Sequence, residues 1–186
     1  MSERKEKILQ TAIEIIADEG YSSLTMRALA RASGLKLGAL QYHFRTWEDM
    51  VRALVTHIAG HYRKSFDAIQ VGGAPTVRDC ALFLLSEPAT DAKLSDRLWP
   101  QLWAMQQVEP LVADLLDDVY SEFLTIFEKA LALEGSEAPR AEALALLSML
   151  EAGSLFTGSG RRWESDRADV NAVVMKFIDA RYGEKL

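Results

Sequence analysis

The sequence predicts an all-α protein, and three observations carry that prediction. Apolar residues recur at spacings of three and four through nine successive segments, and turn or breaker residues punctuate those segments. No stretch shows strand alternation, an internal repeat or low complexity. The 186 residues are 49% apolar and 26% charged, enough for one large or two small globular domains with a true core.

The first helix is expected from about Ser2 to Glu19, with Ile8, Leu9, Ala12, Ile13, Ile16 and Ala17 on one face and Gly20 as its stop. Thr25 is the best N-cap for a second helix, Met26 to about Ala32, which buries Leu29 and Ala30 before Ser33-Gly34 turns the chain. A third begins near Leu35 or Lys36 and ends near Phe44. Thr46 and Asp49 form a capping-box pattern, with Asp in place of Glu, that opens a long fourth helix to about Ile69. The link Val71-Gly72-Gly73-Ala74-Pro75 is the strongest boundary signal, between domains or between layers of a bundle. Helical patterns then recur at about Thr76 to Leu85, Asp91 to Gln107, Pro110 to Leu133, Pro139 to Phe156 and Asp166 to Tyr182. They are bounded by Pro88, Pro110, Gly135, Pro139, Gly158 and Gly160. Pro100 is expected to kink or break the sixth segment, because it removes a backbone donor inside a helical pattern.

Charge divides unevenly along the chain. Residues 1–66 carry ten Lys/Arg and seven Asp/Glu, a balance of +3, while the remainder carries eleven and twenty, a balance of −9. That asymmetry suggests a nucleic-acid-facing end joined to a body that avoids nucleic acid, although scattered surface charge produces the same count. The longest uncharged apolar stretch, Ala143 to Leu150, falls far short of the roughly 20 residues of a membrane span. The charged amino terminus and the Glu14 and Asp18 that follow do not fit a secretory leader, so a cytoplasmic location is expected. A lone Cys80 and three histidines make a poor inventory for disulfide or metal chemistry, and no cofactor is expected.

Thr25 to Phe44 has helix-turn-helix spacing. Leu35, Leu40 and Phe44 can pack against Leu29, the small Ala30 permits a close crossing, Gly34 supplies the turn, and the outer face of the second helix is left for a major groove. A purely structural helical hairpin meets the packing and turn requirements equally well.

The wider string from Gly34 to Met50, GLKLGALQYHFRTWEDM, resembles the signature of the TetR family, in which a recognition helix ends in a Tyr-His-Phe-like element and a capped, charged helix follows. Thr25-Met26-Arg27-Ala28-Leu29-Ala30 is similar to that family's first motif helix, and the resemblance covers about residues 7 to 55. It implies a homodimeric, ligand-responsive transcriptional regulator that binds a palindromic double-stranded DNA operator, usually as a repressor. Residues 1–50 would be the DNA-binding domain, and residues 51–186 a helical domain for a small-molecule effector and the second subunit. In that light Thr25 caps its helix and offers a hydroxyl to phosphate, and Arg27 reads guanine or holds phosphate. Lys36 contacts phosphate, Leu37 and Ala39 suit a thymine methyl, and Gly38 permits close approach of the backbone. Gln41 can pair with adenine. Tyr42 and His43 resemble a phosphate-binding pair, with Arg45 and Thr46 as further backbone contacts. The chain departs from the pattern at Trp47, a further backbone-contact candidate whose indole N–H can give one hydrogen bond but no charge where a phosphate-gripping Lys is frequent, and at Lys36, which replaces a small hydroxyl at the helix start.

In the body, Trp99, Trp103, Met105, Tyr120, Phe123, Phe127, Met149 and Phe156 are candidates to wall an effector cavity, with ordinary core packing as the alternative for each. Asp114, Asp117, Asp118 and Glu122 suit either a cationic effector or a solvated face. The small residues and leucines of Ala141 to Gly153, with Val170, Val173, Val174, Phe177 and Ile178, are the candidate dimer interface or an internal core. Enzymatic readings have less behind them. His57 and His61 stand at metal-ligand spacing without an evident third ligand, Gly158 to Arg162 lacks the rest of a phosphate-loop pattern, and Cys80 has no visible base.

Overall fold

The computed structural model describes residues 2–70, 73–86 and 92–183. Among the described residues it is entirely helical, with α1 Glu3–Glu19, α2 Met26–Ala32, α3 Leu37–His43, α4 Trp47–Gln70, α5 Val77–Ser86, α6 Ala92–Gln106, α7 Pro110–Leu133, α8 Pro139–Thr157 and α9 Arg167–Tyr182. Short 3-10 turns at Tyr21–Ser23 and Glu164–Asp166 complete it. The expected breaks at Val71-Gly72 and Pro88, and the expected start of the sixth helix at Asp91, lie outside the described residues. None of the described helices is long and apolar enough to cross a membrane.

The chain forms two compact units, residues 1–61 with 97–118, and residues 62–96 with 119–186. In the first, α1 packs on α2 and α2 on α3. Ile8, Leu9, Ile16, Leu29, Leu40, Phe44, Met50 and Leu54 are fully buried there, as are Leu102, Met105, Val112 and Leu116 from the ends of α6 and α7. In the second, α5 packs on α8 and α9. Its core gathers Val77, Cys80, Phe83, Phe123, Phe127, Leu131, Ala143, Leu147 and Ile178, with Phe83 stacked on Phe123 at 5.8 Å between ring centroids. Burial pushes the Cys80 thiol up to about 12, so it stays protonated and behaves as a small apolar side chain.

Two local expectations need correction. Of the kink or break expected at Pro100, the break does not occur, since α6 continues through the proline. One missing N–H is tolerated because Leu98, Trp99, Leu102 and Met105, on both sides of the proline, are buried and hold the segment. α3 starts at Leu37, one or two residues later than the apolar pattern suggests, because Lys36 takes an extended conformation as its N-cap.

Candidate nucleic-acid interface

The turn between α2 and α3 is built by backbone chemistry. Gly34 takes a left-handed φ of 65°. The Leu35 amide then donates back to the Ala30 carbonyl at 2.8 Å, and the Gly34 amide to the Arg31 carbonyl at 3.1 Å. This is the Schellman closure, in which a glycine ends a helix and satisfies its last carbonyls. Upstream, the Thr25 hydroxyl accepts the Ala28 amide at 3.1 Å as the N-cap of α2. Downstream, the Asp49 amide donates to the Thr46 hydroxyl at 3.0 Å and the Thr46 amide to the Asp49 carboxylate at 3.1 Å, so the capping box closes with the shorter acid.

These fixed ends decide which way α3 faces. Leu40 is buried completely and Phe44 nearly so, which pins one side of a seven-residue helix to the core. Gly38, Gln41 and Tyr42, at i, i+3 and i+4, then share the outer side, and all are exposed along with Ala39. Tyr42 is 86% exposed, its ring touching only the edge of His43 at 5.5 Å between centroids. Thr25, Arg27, Lys36, Arg45 and Thr46 are also exposed, while Leu37, His43 and Trp47 are half-buried. Residues 20–47 hold Arg27, Arg31, Lys36 and Arg45 and no Asp or Glu, so this segment adds cations and no carboxylate of its own to the face it presents.

Trp47 is differently placed from the others. Its indole N–H donates to the Glu109 carboxylate at 3.3 Å, and the Tyr21 hydroxyl donates to the same oxygen. The carboxylate and burial together push the Tyr21 phenol far above its ordinary range, burial being the larger effect. The sequence reading also overlooked the start of α1. There the Arg4 guanidinium donates to the Ser33 carbonyl at 3.4 Å, and the Lys5 ammonium lies 5.3 Å from the centre of the Phe44 ring. Both cations thus sit beside the motif, and the signal for them was the charged run at the amino terminus.

The candidate effector residues divide between the two units. Trp99 and Trp103 lie 6.4 Å apart in the first unit, where Met105 is buried. Phe123 and Phe127 are buried 5.6 Å apart in the second, where Tyr120 packs against the core's edge. Met149 and Phe156 are exposed, Phe156 lying 6.4 Å from Trp163. Asp114, Asp117, Asp118 and Glu122 all face solvent, and Glu122 pairs with Arg63 at 2.6 Å. In the Gly158 to Arg162 loop, the Ser159 amide donates to Asp96 at 2.6 Å and the Gly160 amide to Glu164 at 2.7 Å, so the protein's own carboxylates occupy those donors. The His61 Nδ1 engages the His57 carbonyl at 2.9 Å.

A capped helix-turn-helix with an outward, acid-free second helix, continued into a helical body, defines a class of protein, and comparison with known proteins agrees. Residues 8–54 match the model of the bacterial regulatory proteins of the tetR family, so this amino-terminal module is similar to theirs. The HTH-type transcriptional repressor KstR2 of Mycolicibacterium smegmatis is 29% identical over 92 residues, which span 47% of this chain and 43% of that one. The chain therefore matches less than half the length of this curated relative. The fold extends over the whole chain. A TetR transcription regulator from Haloarcula marismortui superposes with a TM-score of 0.77 at 13% identity, covering 98% of this chain and 97% of its own. A protein from Saccharomonospora viridis, solved in complex with choline, does so with a TM-score of 0.80 at 18% identity over 100% of both chains.

Proposed function

We propose that this protein is a ligand-responsive, sequence-specific DNA-binding transcriptional regulator, and not an enzyme. It acts in the cytoplasm as a homodimer and represses from a palindromic operator until a small-molecule effector releases it. The observation that carries this reading is the orientation of α3. With Leu40 and Phe44 locked inward, Gly38, Ala39, Gln41 and Tyr42 present an outer face to a partner, and an α-helix fits the roughly 12 Å width of the major groove. Gln41 reads a base edge there. Tyr42, His43, Lys36, Arg27, Arg45 and the Thr25 and Thr46 hydroxyls hold phosphates, while Leu37 and Ala39 give apolar contact.

Residues 1–50 serve as the reader and residues 51–186 as the effector and dimer body. Leu144, Met149, Val170, Val173 and Phe177 on α8 and α9 are exposed, an apolar surface suited to a four-helix contact with a second copy. The choline held by the Saccharomonospora viridis neighbour supports the idea that this fold takes a small molecule. Release follows from linkage. A ligand that prefers a body conformation with a different spacing of the two recognition helices lowers DNA affinity by the same coupling free energy.

The test is capture and sequencing of genomic fragments with and without candidate metabolites, followed by a salt titration on the recovered fragment. A logarithmic affinity that falls linearly with logarithmic salt is expected, because neutralised phosphates release counterions. Affinity indifferent to salt, or no captured fragment, overturns the reading.

A further inference from the structure

One polar cluster of the first unit is unused by the DNA-reading surface. The Glu109 carboxylate, just before α7, accepts both the Tyr21 hydroxyl and the Trp47 indole N–H on a single oxygen. Tyr21 lies in the 3-10 turn that follows α1, and Trp47 is the first residue of α4, next to the Thr46 cap. The two donor rings lie 6.5 Å apart, and the same turn is tied a second time by the Tyr21 amide to the Gln101 side chain at 3.2 Å. Arg97 adds an ion pair to Asp18 near the end of α1. All four contacts run from residues 97–109 to residues 18–47, within one compact unit.

We propose that Glu109 is a positioning residue for DNA reading, a latch by which the α6–α7 turn sets where α4 begins and hence how the motif ahead of it is held; this rests on the DNA-binding reading above. The carboxylate is suited to the task because one anionic oxygen engages two donors from separate elements. Charge-assisted hydrogen bonds are stronger and more directional than neutral ones. A shift of the α6–α7 turn therefore displaces both donors together. Gln101 bonds the turn that follows α1 and Arg97 pairs with Asp18 near the end of α1, whereas Glu109 engages both that turn and the start of α4. The latch also commits the one side-chain donor of Trp47, so while it is closed the indole N–H is directed to Glu109 and away from phosphate.

The test uses the full chain with Tyr21→Phe, Trp47→Phe, Glu109→Ala and Glu109→Gln. Tyr21→Phe removes only the phenol hydroxyl, Trp47→Phe removes the indole N–H with part of its ring, and both keep an aromatic side chain, so they remain informative if Glu109→Ala fails to fold. Two readouts are taken, the Trp47 indole N–H resonance in the free protein and affinity for the captured DNA fragment. The expected result is that Glu109→Ala and Tyr21→Phe both move the indole resonance, and that Glu109→Gln, which retains an acceptor oxygen, moves it less. Glu109→Ala and Trp47→Phe should each change DNA affinity about three- to tenfold, with the double variant no worse than the stronger single, since both break one interaction. Glu109→Gln should restore most of the affinity lost in Glu109→Ala. An unmoved indole resonance in Glu109→Ala, or fully additive effects on affinity, overturns the latch. Should the wild-type protein capture no DNA, the regulator reading falls on its own, and the latch stands or falls by the resonance.

Discussion

α3 and α9 are both helices that leave much of their surface outside, yet the two surfaces suit opposite partners. α3 buries Leu40 and exposes Gly38, Ala39, Gln41 and Tyr42, in a segment, residues 20–47, that holds four Lys/Arg and no Asp or Glu. α9 buries Ile178 and exposes Val170, Val173 and Phe177, the last at 65%. The first surface gains by meeting a hydrated polyanion, since its donors and cations lose little water they cannot replace on phosphate. The second gains only by leaving water, at roughly 25 cal/mol per Å² of apolar surface covered. Exposure alone names no partner; the chemistry of the exposed atoms says which kind a surface would suit.

The largest way to break this comparison is to unpin α3. Leu40→Ala should cost about 2–5 kcal/mol of stability, as cavity-forming core substitutions do, and abolish DNA capture with the fold of the first unit loosened. Thermal melts and capture on the same sample check it. Next in size, Phe177→Glu places a charge on the proposed contact between copies and should convert the protein to monomers with weak operator binding, read by sedimentation. A stable dimer in that variant would show that α9 faces something else. A smaller effect separates the roles along α3. Tyr42→Phe removes one phosphate donor and should weaken binding about fivefold on every sequence, whereas Gln41→Ala should relax preference at one base pair by about 1–3 kcal/mol. Equal losses on all sequences for both variants would collapse that distinction.

The two surfaces were not equally legible in the sequence. The helix order, the Thr25 cap, the Gly34 turn and the Thr46–Asp49 box are local: each is written in residues a few positions apart, and each appears in the structure where periodicity and capping placed it. The break allowed for at Pro100 failed for the opposite reason. Its penalty is local, but burial of Leu98, Trp99, Leu102 and Met105 is a tertiary effect that outweighs a single missing donor. Glu109 was invisible because its partners lie 88 and 62 residues away. Lys5 and Arg4 were seen only as part of a charged terminus, since nothing in their neighbourhood announces Phe44 or the Ser33 carbonyl. Phe83, which stacks on Phe123, escaped the list of aromatic candidates although it stands at the centre of the second core.

The smallest expected effect concerns a second capping box, and it sharpens the contrast between surfaces that meet partners and those that merely hold the fold. At the start of α5 the Thr76 amide donates to the Asp79 carboxylate at 2.9 Å, the Thr76 hydroxyl does so at 2.7 Å, and the Asp79 amide returns a bond to that hydroxyl at 3.1 Å. The amide and hydroxyl of Thr76 hold the Asp79 carboxyl below its ordinary value of 3.8, against a smaller opposing effect of burial. A carboxyl depressed on folding contributes stability that is fully present above its unfolded value and is lost as pH falls through the folded one. Asp79→Asn should therefore cost about 1 kcal/mol at neutral pH, the usual size of an exposed cap, and the gap between variant and wild type should narrow once the pH drops below about 4. DNA affinity at neutral pH should be unchanged, because Asp79 lies outside the reading unit. Denaturant titrations at several pH values check the first part and the salt-titrated binding assay the second. A gap that stays constant into acid would assign the bonding to the side chain's shape rather than to its charge.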